Sequence, residues 1–192
     1  MTVAIVLVLA GAFVIELARG AAGDERALIP LGALITRGWS STDWWRVLTF
    51  SFLHLNALHL ALNTAGVLWL GRLVERRLGR ARLLAIFLLS GISSGVAGML
   101  LGPLLPTTGV AVGASGALCG LLAAALMLAF QRGADRRLRL PLLMCLVVVI
   151  AISLMPGVSL AGHIGGFLGG VACTAVLQSP TEPFAGTSSK TG

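Results

Sequence analysis

The sequence predicts an all-α polytopic membrane protein, a bundle of six transmembrane helices. The first sign is composition: of 192 residues, 57% are hydrophobic and 11% charged, where a soluble domain carries about a quarter charged residues. The second is six successive apolar segments, each near the length that crosses a ~30 Å hydrocarbon core. The third is the crowding of arginines into alternate connections, the pattern by which a polytopic chain sets its orientation. The mean hydropathy of +0.96 agrees. A net charge of +7 raises the possibility of nucleic acid. Basic residues confined to short connections, with no aromatic-interleaved basic surface, argue against it.

The first apolar segment, 3–18, has the length of a signal-peptide core. No basic residue precedes it, as one would in a signal sequence, so it is expected to be retained as a span. The connection 19–52 holds Pro30, Gly32, Gly38 and the polar run Ser40-Ser41-Thr42-Asp43, mixed with Trp39, Trp44, Trp45 and charges. Tryptophan beside arginine suits the headgroup zone, so this loop is expected on the membrane surface in short helices. The second segment, 53–71, carries His54, Asn56, His59 and Asn63, and a basic turn at 72–82 follows. The third, 83–105, includes Gly91, Ser93, Ser94, Gly95 and Gly98, and ends in an uncharged turn at 106–109. The fourth, 110–130, leads to a second basic turn at 131–139. The fifth, 140–155, stops at Pro156-Gly157, and the sixth is 158–177. Residues 1–178 then make one membrane domain. The stretch 179–192, rich in Ser, Thr, Pro and Gly, is expected to be a disordered tail.

Orientation follows from the basic residues. The turn after the second segment holds Arg72, Arg76, Arg77, Arg80 and Arg82, and the turn after the fourth holds Arg132, Arg136, Arg137 and Arg139. The turns after the third and fifth hold none, and Lys190 follows the sixth. The positive-inside rule makes the basic turns and both termini cytoplasmic. Arg19, Arg26, Arg37 and Arg46 in the first loop dissent, but surface helices use arginine at either face. The expected location is the cell inner (plasma) membrane.

Even-numbered segments therefore start at the outer face. His54, His59 and Asn63 lie early in the second, Ser115 early in the fourth and His163 early in the sixth. At 1.5 Å per residue all fall in roughly the outer half of the bilayer, where polar groups normally face one another or water. Each has a plain alternative. Gly113, Ser115 and Gly116 suit close helix contact, Asn63 suits an interhelical clasp, and His163 suits a bond to a carbonyl. His54, at the boundary, is read as structural.

Together they meet the needs of acyl transfer. A serine hydroxyl attacks well only when a base takes its proton, and neutral imidazole is such a base. The Ser115 backbone N–H, at a helix start, is a donor for the tetrahedral intermediate. His59 and Asn63, four apart, project from one helical face. Gly116 and Gly120 on the fourth segment, and Gly162, Gly165, Gly166, Gly169 and Gly170 on the sixth, are expected to let these two helices nearly touch. No acidic residue lies in the apolar parts of segments two to six, so Ser115 and His163 are expected to form a dyad. Cys119, Cys145 and Cys173 all lie in apolar segments, and their odd number argues against a disulfide framework or a zinc site. No metal or cofactor is called for.

The ordered motifs Trp44-Trp45-Arg46, His54-x4-His59-x3-Asn63, Val74-Glu75-Arg76-Arg77-Leu78-Gly79, Gly113-Ala114-Ser115-Gly116 and Gly162-His163-Ile164-Gly165-Gly166 resemble those of the rhomboid intramembrane serine proteases. The resemblance covers about residues 40–170. It implies a rhomboid-like six-helix bundle with Ser115 as nucleophile and His163 as base. It implies an oxyanion hole of the Ser115 amide, His59 and Asn63, and structural roles for Trp45, Arg46 and Glu75. Its expected partners are transmembrane protein substrates and the lipid bilayer. One departure stands out: the family often carries an aromatic residue four after the serine, against which the histidine packs, and here that position is Cys119. Support for the His163 ring is then expected to come from elsewhere or to be weaker. The competing readings are a rhomboid-like protein that binds membrane helices without cutting them, and a small transporter. The second predicts intramembrane charge along a pathway and two related halves, and neither is visible.

Overall fold

A computed structural model describes residues 1–104 and 109–178, and the expected tail at 179–192 lies outside the described residues. The helices are α1 (Thr2–Ala18), α2 (Arg46–Thr49), α3 (Ala57–Gly66), α4 (Arg72–Leu78), α5 (Arg80–Leu101), α6 (Ser115–Ala129), α7 (Arg139–Ser153) and α8 (Leu160–Leu177). A π turn, Val67–Gly71, carries α3 into α4 as one continuous helix. Gly66 just before this turn and Gly71 at its end let neighbouring side chains approach closely. The bare face of Gly66 meets the Leu118 side chain at 3.1 Å, and that of Gly71 meets Thr2 at the same distance.

Among the described residues, Ala57–Leu78, Arg80–Leu104 and Leu160–Leu177 are long and apolar enough to cross a membrane. Thr2–Ala18 and Ser115–Ala129 are shorter apolar helices. The protein is an integral membrane protein, mostly helical, and each of the six apolar segments holds one long helix.

α6 forms the axis of the bundle. Twelve of its side chains or glycine faces are buried, from Gly116 to Ala129, so it is apolar all round because it is surrounded all round. α5 and α8 pack on it and on each other, using stripes of small residues. On α8 the stripes divide by direction. Gly166 and Gly170 meet the backbones of Gly116 and Gly120 on α6, whereas Gly165 and Gly169 meet Ala97 and Ser93 on α5. The sequence expectation that Gly165 and Gly169 serve the contact between the fourth and sixth segments is thus corrected. Residues one apart on a helix lie about 100° around its axis, so adjacent glycine stripes serve two different neighbours.

α7 differs. It rests mainly on α6, and its Val147, Val148, Ile150 and Ile152 are exposed, while Leu142 and Ser153 are its buried residues. Apolar side chains left facing outward in this way are what lipid contact requires.

The loop between α1 and α3 is a chain of short turns: 3-10 turns at Ile29–Leu31, Ser41–Asp43 and Phe50–Phe52 around α2. Arg46 ties it together. Its guanidinium donates to Asp43 Oδ1 at 2.8 Å, Ile29 O at 2.5 Å and Ala33 O at 3.1 Å, and stacks over Trp45 at 4.5 Å. The Ser40 backbone N–H, then Arg46, hold the Asp43 carboxyl below its usual range. The fourth segment does not begin as helix. Its first residues form strand β2 (Val110–Ala111), antiparallel to β1 (Leu34–Ile35), with Leu34 opposite Ala111. β-Branched Val110 and Val112 favour extended backbone. Gly113, at φ +119°, turns the chain into α6.

Candidate active site

Helix starts set the positions of the polar residues. Asn56 caps α3, its Oδ1 accepting from His59 N at 2.9 Å, and Ser159 caps α8, its Oγ accepting from Gly162 N at 3.1 Å. These are ordinary caps that satisfy amides a helix leaves unpaired. α6 has none: Ala114 stands at its N-cap and offers no side-chain acceptor. The positive end of the helix that begins with Ser115 is therefore left to attract a negative charge.

Ser115 and His163 meet there. His163 Nε2 lies 2.9 Å from Ser115 Oγ, a hydrogen bond between residues 48 apart in the chain. On its other side, His163 Nδ1 lies 2.6 Å from Ser153 Oγ. The Ser153 hydroxyl in turn lies 2.6 Å from the Val149 carbonyl one turn back on α7. The close approach that makes the first bond possible is the Gly166–Gly116 contact one turn along α8 from His163.

His59 and Asn63 approach from α3. A β-carbon on Gly113 would lie 2.7 Å from His59 Nε2 and 3.7 Å from Asn63 Nδ2. Both side chains are thus brought beside the turn two residues before Ser115. Position 113 is doubly reserved for glycine, by its positive φ and by this crowding. Asn63 also donates to the His59 carbonyl at 3.0 Å, which anchors its amide. Ser115, His163, His59 and Asn63 line one cavity of about 560 Å³. Its apolar wall includes Leu118, Cys119, Leu122, Cys145, Val149 and Ile152. A serine hydroxyl bonded to imidazole, beside an uncapped helix start and two side-chain donors, can do acyl transfer chemistry.

His54, read from the sequence as structural, is fully buried. Its backbone N–H donates to both oxygens of Glu16, at 3.1 and 3.3 Å, and its ring meets the His59 ring edge-on at 5.1 Å between centroids. Glu75, at the far end of the bundle, accepts from Thr2 N at 2.9 Å and Thr2 Oγ1 at 2.6 Å. Two residues went unforeseen. Glu16, fully buried at the end of α1, was visible as an acid inside an apolar segment, which membranes tolerate only with a partner. Ser153 was visible as the one hydroxyl in the fifth segment.

A family model described as the Rhomboid domain matches residues 41–180. The chain is 34% identical over 174 residues to Rhomboid protease GluP of Bacillus subtilis strain 168, covering 88% of this chain and 32% of that protein. It is 31% identical over 168 residues to Rhomboid-like protease 3 of Toxoplasma gondii, covering 86% and 64%. RHOMBOID-like protein 4 of Arabidopsis thaliana is 34% identical over 139 residues, covering 70% and 34%. The chain spans about a third of two of these relatives and just under two thirds of the other.

Proposed function

The chain belongs to the rhomboid family, and from that premise we propose that it is an intramembrane serine endopeptidase, cutting peptide bonds in or next to transmembrane segments with a Ser115–His163 dyad. The observation that carries this reading is the 2.9 Å bond between Ser115 Oγ and His163 Nε2. As Ser115 Oγ attacks the scissile carbonyl carbon, His163 takes its proton. The oxyanion is held by the Ser115 amide, the His59 ring and the Asn63 amide. His163 then gives its proton to the leaving amine, and a water, deprotonated by His163, hydrolyses the acyl-enzyme. A helical substrate hides its carbonyl carbons, so the substrate segment must unwind locally before attack.

In this reading residues 1–178 are one membrane domain crossing six times. The termini and both arginine-rich turns are cytoplasmic, and the active site opens to the outer face of the inner (plasma) membrane. The length of α6 supports the depth of the site. Its 15 residues span about 22 Å, less than the ~30 Å core. A helix starting at the inner face thus ends below the outer surface, and Ser115 stands in a recess that water enters from above.

The experiment is activity-based labelling with a fluorophosphonate, together with cleavage of a model transmembrane substrate in proteoliposomes. Labelling and cleavage that both vanish in Ser115→Ala are expected. A purified, folded protein that neither labels nor cleaves would favour a rhomboid-like protein that binds transmembrane helices without cutting them.

A further inference from the structure

The two bonds made by Ser153 dictate how His163 holds its proton. A serine hydroxyl has one hydrogen to donate. Ser153 Oγ lies 2.6 Å from the Val149 carbonyl, which only accepts, and 2.6 Å from His163 Nδ1. If the hydroxyl donated to Nδ1, two oxygen lone pairs would face each other at 2.6 Å with no proton between them. The arrangement is satisfied when Ser153 donates to Val149 O and accepts from Nδ1–H. In a neutral imidazole the proton on Nδ1 leaves Nε2 bare. Bare Nε2 is the atom that lies 2.9 Å from Ser115 Oγ.

We propose that Ser153 is a positioning residue that orients the His163 ring and holds it in the tautomer able to accept the Ser115 proton, making the site a Ser115–His163–Ser153 relay. This rests on the reading of Ser115 and His163 as the reacting pair. The setting of Ser153 supports it. α7 is otherwise apolar from Leu140 to Ile152, and its outward residues include Val147 at 65% and Val148 at 54% exposed. Its single hydroxyl is turned inward at 4% exposed. A serine bonded to the carbonyl four residues back gains nothing for its helix, so the second bond, across to α8, gives the position its use. Cys119, one turn along α6 from Ser115, brings no aromatic plane to hold the imidazole. The hydroxyl of Ser153 holds it by an edge. When His163 becomes imidazolium, both ring nitrogens donate, and Ser153 still accepts from Nδ1–H.

The test compares Ser153→Ala and Ser153→Thr in the full chain, reconstituted in nanodiscs. Loss of an orienting partner behind a metal-bound histidine costs on the order of ten- to a hundredfold, and a similar factor is expected here. Ser153→Ala should lower fluorophosphonate labelling rate and kcat by about that factor with KM held, and Ser153→Thr, which keeps the hydroxyl, should recover most of it. An independent readout needs no turnover. With 15N-labelled histidine in the Ser115→Ala background, His163 should show protonated Nδ1 and bare Nε2, and adding Ser153→Ala should mix the tautomers. An unchanged tautomer and unchanged labelling rate in Ser153→Ala, while Ser115→Ala abolishes labelling, would overturn the relay and leave the dyad standing. Full labelling in Ser115→Ala would instead remove the dyad itself.

Discussion

The Gly116 carbonyl oxygen stands where a β-carbon on Gly166 would have to go. This backbone contact, with the Gly170–Gly120 contact further along, brings α8 close enough to α6 for His163 to reach Ser115. Gly166→Ala is therefore expected to push the helices apart, destabilising by about 1–3 kcal/mol through overpacking. A shift near 1 Å costs on the order of a hundredfold in rate. Gly169→Ala meets Ser93 of α5 instead, at 2.6 Å. It should lower Tm while the folded fraction keeps most of its labelling rate. Thermal unfolding and fluorophosphonate labelling on the same samples separate the two, and equal activity losses would mean that the α8 stripes are not specialised.

The orientation is checked with single cysteines after replacement of Cys119, Cys145 and Cys173. Met155→Cys, in the turn before α8, should react with a membrane-impermeant maleimide in intact cells. Ala134→Cys, between α6 and α7, should react only after permeabilisation. The reverse pattern would place Ser115 in the cytoplasmic half of the bilayer.

The three histidines should rank in catalytic cost. His163→Ala should match Ser115→Ala in cleavage assays, since members of a reacting pair act as a unit. His59→Ala should lower kcat by roughly a hundred- to a thousandfold through loss of an oxyanion donor, and Asn63→Ala by the same or less. His54→Ala should act on stability, with substantial activity left in the folded fraction. An inactive but well-folded His54→Ala beside an active His163→Ala would reassign the base.

Glu16 predicts a purely structural effect. Its carboxylate receives the His54 backbone N–H inside the bundle, so Glu16→Ala leaves that donor buried and unpaired, at about 1–3 kcal/mol. Glu16→Gln keeps a carbonyl acceptor in place and should lose less. Unfolding in an SDS titration measures both, and a Glu16→Ala protein as stable as the original would mean that the His54 amide finds another acceptor.

The helices were legible because apolar length and arginine placement are one-dimensional signals. The polar residues that line one cavity were legible because they stand near the starts of three alternate apolar segments. What was not legible depends on rotation about a helix axis. Gly165 and Gly169 were assigned to α6 and face α5, because sequence spacing identifies a stripe without naming its neighbour. The β1–β2 pair was invisible because Leu34-Ile35 and Val110-Ala111 are two-residue strands inside segments with other plausible fates. His54 sits against Glu16, a contact between residues 38 apart that no local pattern signals. Ser153 reads as filler until His163 is seen beside it.

The position of the base along the chain has a consequence for biosynthesis. Ser115 is translated 48 residues before His163, and at about 5–20 residues per second the nucleophile waits about two to ten seconds for its partner to be made. Throughout that interval the nascent chain holds the Ser115 hydroxyl without the His163 imidazole, and the groove that α8 will fill is open. In the proposed reading, proteolytic competence arrives only with insertion of the helix that also closes the bundle. A message truncated after α6 would, in the same reading, yield a fragment that carries the nucleophile but not its base.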